Sequence, residues 1–273
     1  MQALPAAAYF LLLEAACGGS IALLWVHLRG EVNRGFTLFT GICLLVIGIL
    51  AVWLRFSFPP VAQVALSQSA EFWFALERTL SLAFIVLFGL YLIDLRATTW
   101  PVLGRLVGPL VPLLALGALW SAALVDSTPQ LFGLGTPLAV VAGAMALGSA
   151  LTGLSLGHWY LVSPTLSVRP LVQVTLLTLG ALVAQTVLVP LLLFGPGTPR
   201  TGVEGLFGEY AIFLGVRLVF GLLVPLAAAV MTWRTARIRS LDSATGLLYI
   251  VAALILAGEI AARTLAFLTG VST

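Results

Sequence analysis

An all-α, polytopic membrane protein with eight spans is what the sequence predicts, and three observations carry that prediction. Hydrophobic residues make up 61% of the chain and charged residues only 8%, with a mean hydropathy of +1.14. The apolar residues gather into eight runs, at 6–28, 36–57, 71–95, 105–126, 136–160, 170–195, 209–233 and 245–269. Each is close to the roughly 20 residues that cross a bilayer as a helix. Prolines break the connections, at Pro59-Pro60, Pro101, Pro137, Pro164, Pro170 and Pro196. The longest connections, 58–70 and 196–208, run to only about a dozen residues, too short for a soluble domain.

Taken in order, the first span follows no basic stretch and no small-residue cleavage site, so it is expected to be retained rather than removed as a signal. It carries Glu14 and Cys17, and the second carries Cys43 and Arg55. Both cysteines are expected to be small packing residues. The third span, EFWFALERTLSLAFIVLFGLYLID, places Glu71, Glu77 and Arg78 in its first two turns. Gly143, Gly148, Gly153 and Gly157, with Ala144, Ala146 and Ser149, make the fifth span rich in small residues. Such a helix is expected to pack tightly at the centre of the bundle. The seventh opens EYAIFLGVRL with Arg217 inside it, and the eighth carries Glu259 and Arg263 four residues apart, on one helix face.

All thirteen basic residues are arginine. Arg29, Arg34, Arg96, Arg105, Arg169, Arg234, Arg237 and Arg239 fall in the connections at one side of the spans. The other side has Arg200 beside Glu71, Asp126, Glu204 and Glu209. The positive-inside rule then places both termini outside. Trp25, Trp100, Trp159 and Trp233 near inner ends, with Trp53, Trp73 and Trp120 towards outer ends, suit interfacial anchoring. The expected location is the inner (cytoplasmic) membrane of a cell, multi-pass. The net charge of +3 is spread over loops and spans and points to no nucleic-acid partner.

An internal duplication is also expected, with residues 1–130 and 131–273 each forming four helices. Glu71 is followed seven residues later by Arg78, and Glu209 eight residues later by Arg217. His27 stands nine residues after Gly18, and His158 nine after Ser149. Halves with four spans each keep the same orientation, so the repeats would be parallel.

Charged side chains inside a bilayer are costly unless paired, hydrated or functional. At about 1.5 Å per residue, Glu14, Arg78, Arg217, Glu259 and Arg263 lie on the order of 10–16 Å from the outer ends, with Glu77 and Arg55 at similar or shallower depth. Five helices thus put charge in the outer half and none near the middle of the inner half. The bland account is an ion-pair network that fixes helix packing. The functional account is an outward-facing polar pocket for protons, an anion or a quinone headgroup, lined by Glu14, Glu77, Arg78, Arg217, Glu259 and Arg263. His27 and His158 form a second constellation, able in principle to hold one haem b iron axially; two snorkelling interfacial histidines are the simpler account. No metal-ligand spacing or nucleophile motif is present, and GTPRTGVEG at 197–205 lacks a phosphate-loop lysine.

The aromatic-then-diglycine first span, YFLLLEAACGGS, and the turn YLIDLRATTWP give the chain a resemblance to the NrfD/polysulfide-reductase membrane-subunit family. That resemblance implies eight helices in two four-helix halves and a quinol-binding integral subunit without a covalently bound cofactor of its own. It also implies electron exchange with an iron–sulfur or cytochrome partner chain. In such a protein the carboxylates would exchange the quinol's protons and the arginines would stabilise the reduced headgroup. A small-anion or proton-coupled transporter or channel, and a haem b electron carrier, are the competing classes.

Overall fold

The structure, a computed structural model, describes residues 3–58, 68–97, 101–125, 128–163 and 166–273. Pro59-Pro60, Trp100, Asp126 and Pro164, and the side chain of Arg105, lie outside the described residues. Among the described residues every regular element is a helix, with no strand. Eight helices are long and apolar enough to span a bilayer. This follows from the solvent: with no water in the hydrocarbon core, a segment must satisfy its backbone groups internally, and a helix does so.

The helices are α1 (Ala3–Leu28), α2 (Arg34–Ser57), α3 (Gln68–Ala97), α4 (Pro101–Val125), α5 (Gly135–Val162) and α6 (Arg169–Phe194), then a short α7 (Arg200–Phe207). The last two spans are α8 (Ala211–Arg237) and α9 (Leu241–Thr269). All eight coincide with the apolar runs to within a few residues. The connection after α6 differs, because it contains α7. Leu206 of α7 is buried, and Gly202 packs against the Thr269 carbonyl at the end of α9.

The helices α1, α2, α3 and α4 pack in a closed ring in chain order, and α5, α6, α8 and α9 do likewise. α1 and α5 join the two rings. The most hydrophobic 18-residue window of α1 is 78% buried against 28% for α3, so α1 is a core helix and α3 faces the surroundings. The small residues of α5 do what their pattern leads one to expect. A Cβ on Gly148 would lie 2.0 Å from the Gly19 backbone nitrogen, and one on Gly18 would lie 1.8 Å from the Ala144 carbonyl oxygen. The two central helices therefore touch backbone to backbone. Thr152 Oγ1 adds a hydrogen bond to the Gly19 carbonyl at 3.2 Å.

The bundle end that bears residues 3 and 273 is tied by polar groups. Leu131 and Phe132 adopt positive φ (48° and 61°) in the turn before α5, a left-handed pair that costs of order 1–3 kcal/mol each. The turn places Gln130 inside the bundle, fully buried. There its Nε2 donates to the Leu192 carbonyl at 2.8 Å and its Oε1 accepts from the Ser272 N–H at 2.8 Å. Gly270, at φ 68°, caps α9 and turns residues 271–273 back into the protein, where all three are buried. At the opposite end Arg29 lies 4.3 Å over the ring of Trp25 and Arg237 lies 4.9 Å over Trp233. Both cysteines are free: Cys17 is buried in the core and Cys43 is exposed on α2.

Candidate functional site

The charged residues inside the spans fall into two groups. The larger brings Glu14 from α1, Arg217 from α8 and Glu259 and Arg263 from α9 together, each no more than 3% exposed. Arg263 Nε stands 2.9 Å from Glu14 Oε1, and Arg263 Nη2 donates to Glu259 Oε2 at 3.1 Å. Arg217 Nη1 donates to the other Glu259 oxygen at 3.0 Å. The result is a chain of alternating acidic and basic groups, Glu14–Arg263–Glu259–Arg217, two carboxyls and two guanidinium groups. The pairing expected of Glu259 and Arg263 from their spacing is present.

Neutral groups complete this network. Gln185 of α6 donates from Nε2 to Glu259 at 2.9 Å, and its Oε1 accepts from Arg217 Nη2 at 2.9 Å. Arg217 also donates to the Thr273 carbonyl at 3.1 Å, and Arg263 to the Ala139 carbonyl at 3.2 Å. The Glu14 contact is different. It is close, but the Arg263 Nε–H is poorly aligned with it, so it is an ion pair with a weak hydrogen bond at most. Glu14 Oε2 and Arg217 Nε have no hydrogen-bond partner among the described residues.

Local backbone features aim these groups. Residues Val216–Leu223 of α8 are π-helical, and the Val224 N–H bonds to the Val219 carbonyl five residues back. Such segments change the register of a helix face and concentrate at functional sites. Here the segment carries Arg217 and Gly221. Gly221 packs directly on Gly258, where an added Cβ would meet the Gly258 Cα at 2.6 Å. That close approach brings Arg217 onto Glu259, the neighbour of Gly258. On α5, a Cβ at Gly143 would lie 2.6 Å from Glu259 Oε2 and 2.9 Å from Arg263 Nη2, so only glycine leaves room for the pair.

The second group lies between α1, α2 and α3. Arg55 and Glu77 form a bidentate pair, Nε to Oε1 at 2.8 Å and Nη2 to Oε2 at 2.6 Å. The Tyr9 hydroxyl donates to the same carboxylate. The Arg55 guanidinium also lies 4.6 Å over the Tyr9 ring. Arg78 is apart from any carboxylate among the described residues; it stacks 4.1 Å over Phe56 and 5.5 Å over Phe74. Glu71, on the same helix, is exposed. The cavity beside this group is about 10 Å³, close to the least space that holds one water. This group reads as a closed staple between three helices.

The six candidates from the sequence therefore divide: Glu14, Arg217, Glu259 and Arg263 share one site, Glu77 joins the staple, and Arg78 stacks on aromatic rings. Gln185 and Tyr9 escaped the sequence reading. The signal for Gln185 was a lone amide in the apolar stretch LVAQTVLV. As for the histidines, His27 Nδ1 lies 3.0 Å from Thr37 Oγ1 and its ring meets Tyr91 edge-on, while His158 is exposed on α5. Neither lines the cavities described here. No cluster of three or more His, Cys, Asp or Glu suited to a metal occurs among the described residues.

Two openings approach the larger network. On the outer seam of α5 and α6 runs a groove of about 710 Å³, lined only by apolar residues, among them Leu138, Ala142, Met145, Gly180, Ala184 and Leu191. Ala142 precedes Gly143 and Ala184 precedes Gln185 in the chain, so the groove is lined by sequence neighbours of two residues that touch the network, while no network side chain lines it. A smaller cavity, about 50 Å³, reaches Arg263 from the end bearing residues 3 and 273.

These features define the class, an integral membrane protein of eight helices with a buried ion-pair network. Comparison with models of known families and with curated proteins adds no narrower assignment, since no family model and no curated protein matches the chain.

Proposed function

We propose that the protein is an integral membrane subunit of a respiratory or electron-transfer complex, and that it binds a quinone-type ligand at the α5–α6 seam. One observation carries the reading: an exposed apolar groove on α5 and α6 is lined by the sequence neighbours of Gly143 and Gln185, which themselves touch a buried network of carboxyl, guanidinium and amide groups. An isoprenoid tail suits the groove. The headgroup would sit at the groove wall formed by Ala142 and Ala184, one residue along from Gly143 and Gln185. Gln185 and Arg217 supply N–H donors for a quinone oxygen, while Glu259 and Glu14 are the bases that would take a quinol's protons. Its electrons would pass to a redox partner chain of the iron–sulfur or cytochrome type. In this reading both termini face the outside of the inner membrane, as the arginine distribution implies.

An anion transporter fits less well. Arg217 and Arg263 each lie against Glu259, so an entering anion would meet guanidinium groups that already carry a carboxylate of their own.

The test uses Gly180, which is exposed and whose added Cβ would meet nothing within 4 Å. Gly180→Trp fills the groove from outside and leaves the network alone. Titrated with a short-isoprenoid naphthoquinone, the variant is expected to bind at least tenfold more weakly than the wild type, at an unchanged melting temperature. Equal affinity in the two proteins would remove the groove from the account.

A further inference from the structure

The smaller cavity has a chemistry of its own. Its walls are Phe10, Val140, Ala266 and Phe267 on the apolar side, and Thr128, Thr136, Ser272 and Arg263 on the polar side. The hydroxyls form a ladder, with Thr128 Oγ1 3.4 Å from Thr136 Oγ1 and Thr136 Oγ1 3.0 Å from Ser272 Oγ. Thr128 is half-buried and Ser272 is 1% exposed, so the ladder runs inwards from the end of the bundle. At about 50 Å³ the space exceeds the roughly 10–15 Å³ that one water needs, and the hydroxyls and guanidinium on its polar side offer partners for one. Arg263 forms the inner wall, and behind it, 2.9 Å from its Nε, stands Glu14.

Glu14 is held by one poorly aligned contact from Arg263 and its Oε2 has no partner among the described residues, whereas Glu259 accepts from Gln185, Arg217 and Arg263. Around it lie Arg263 and Glu259 of α9 and Arg217 of α8. A fully bonded carboxylate resists protonation, because a proton would replace donors it already has. One held by a single misaligned ion pair does not lose bonds in this way.

The geometry points to a hydrated vestibule, walled by Thr128, Thr136, Ser272 and Arg263, through which Glu14 exchanges a proton with the aqueous phase at the end bearing residues 3 and 273. The step is a simple transfer. The Glu14 carboxyl O–H breaks, the proton passes to a vestibule water to give hydronium, and Glu14 is left as the carboxylate facing Arg263. The reverse step reloads it. A small anion is the competing occupant of a space with three hydroxyls and a guanidinium. Arg263 already lies against Glu259, which disfavours it. The inference stands apart from the quinone reading, since the exchange needs no ligand.

Infrared difference spectra of the purified full-length protein test it. The Glu14 carboxylic band is identified by its loss in Glu14→Gln, and its shift is timed after mixing into D2O. In the wild type the band is expected to shift within the mixing time. Ala266→Phe, which plugs the vestibule, and Thr136→Val, which removes one rung at nearly constant volume, are each expected to slow the shift at least tenfold. The second variant covers the case in which the first fails to fold. The same rate in a folded variant, or no Glu14 band that responds to D2O, would overturn the vestibule. Exchange in the wild type that stops on adding chloride or nitrate would overturn it in favour of an anion site.

Discussion

Arg263→Met is expected to cost roughly 3–5 kcal/mol of stability, because it takes from Glu14 its one ion-pair partner among the described residues and from Glu259 one of its guanidinium partners. The informative variant is the next one. Removing Glu259 and Arg263 together, as Gln and Met, would restore stability if the two were an isolated pair. They are the inner members of a chain of four, so the double variant strands Glu14 at one end and Arg217 at the other. It is expected to remain destabilised, and recovery should come only when Glu14 and Arg217 are also neutralised. A double-mutant cycle in detergent, read by thermal or denaturant unfolding, measures this directly. Full recovery in the double variant would mean that the four charges do not act as one network.

Gly148→Val should be at least as damaging, at about 3 kcal/mol or more, since overpacking at this site cannot be relieved by a side-chain rotation. The new Cβ would lie 2.0 Å from the Gly19 nitrogen and 2.1 Å from the Gly18 carbonyl carbon, both backbone atoms of α1. α1 and α5 would have to separate along the contact that joins the two rings. Gly180→Val is the control: it adds the same group on a helix of similar length, facing open space, and is expected to stay within about 0.5 kcal/mol of the wild type. Size-exclusion recovery and melting temperature of the two proteins compare them. Similar behaviour would show that the central crossing is looser than described.

Hydrophobic run length was enough to read the eight spans, because a bilayer sets the length of a helix almost independently of its neighbours. The small residues of α5 and the Glu259–Arg263 pair were legible for a related reason, as both are properties of one helix face. Which helices face one another is another matter. Glu71 and Arg78 share a face by periodicity, yet Glu71 is exposed and Arg78 stacks on Phe56 of α2. Depth alone put Glu77 with Arg217, whereas packing gives Glu77 to Arg55. Arg217 owes its aim to a π-helical turn, which a 3.6-residue period does not reveal. Gln185 carries no charge and so went unnoticed beside the ionisable residues, although it bonds both Glu259 and Arg217. The short α7 lies in a connection whose polar composition reads as loop.

The central claim is that the network to which Gln185 of α6 belongs binds a ligand as well as fastening helices. Gln185 separates the two roles, since it bonds both charges but carries none, so Gln185→Leu leaves the Arg217–Glu259 pair its own direct contact of 3.0 Å. Equilibrium titration of the purified protein with a short-isoprenoid naphthoquinone is therefore the most direct measurement. The account predicts saturable binding in the wild type and at least tenfold weaker binding, about 1.4 kcal/mol, in a folded Gln185→Leu variant. No binding in the wild type, or equal binding in the two, would contradict it and leave the network a purely structural one.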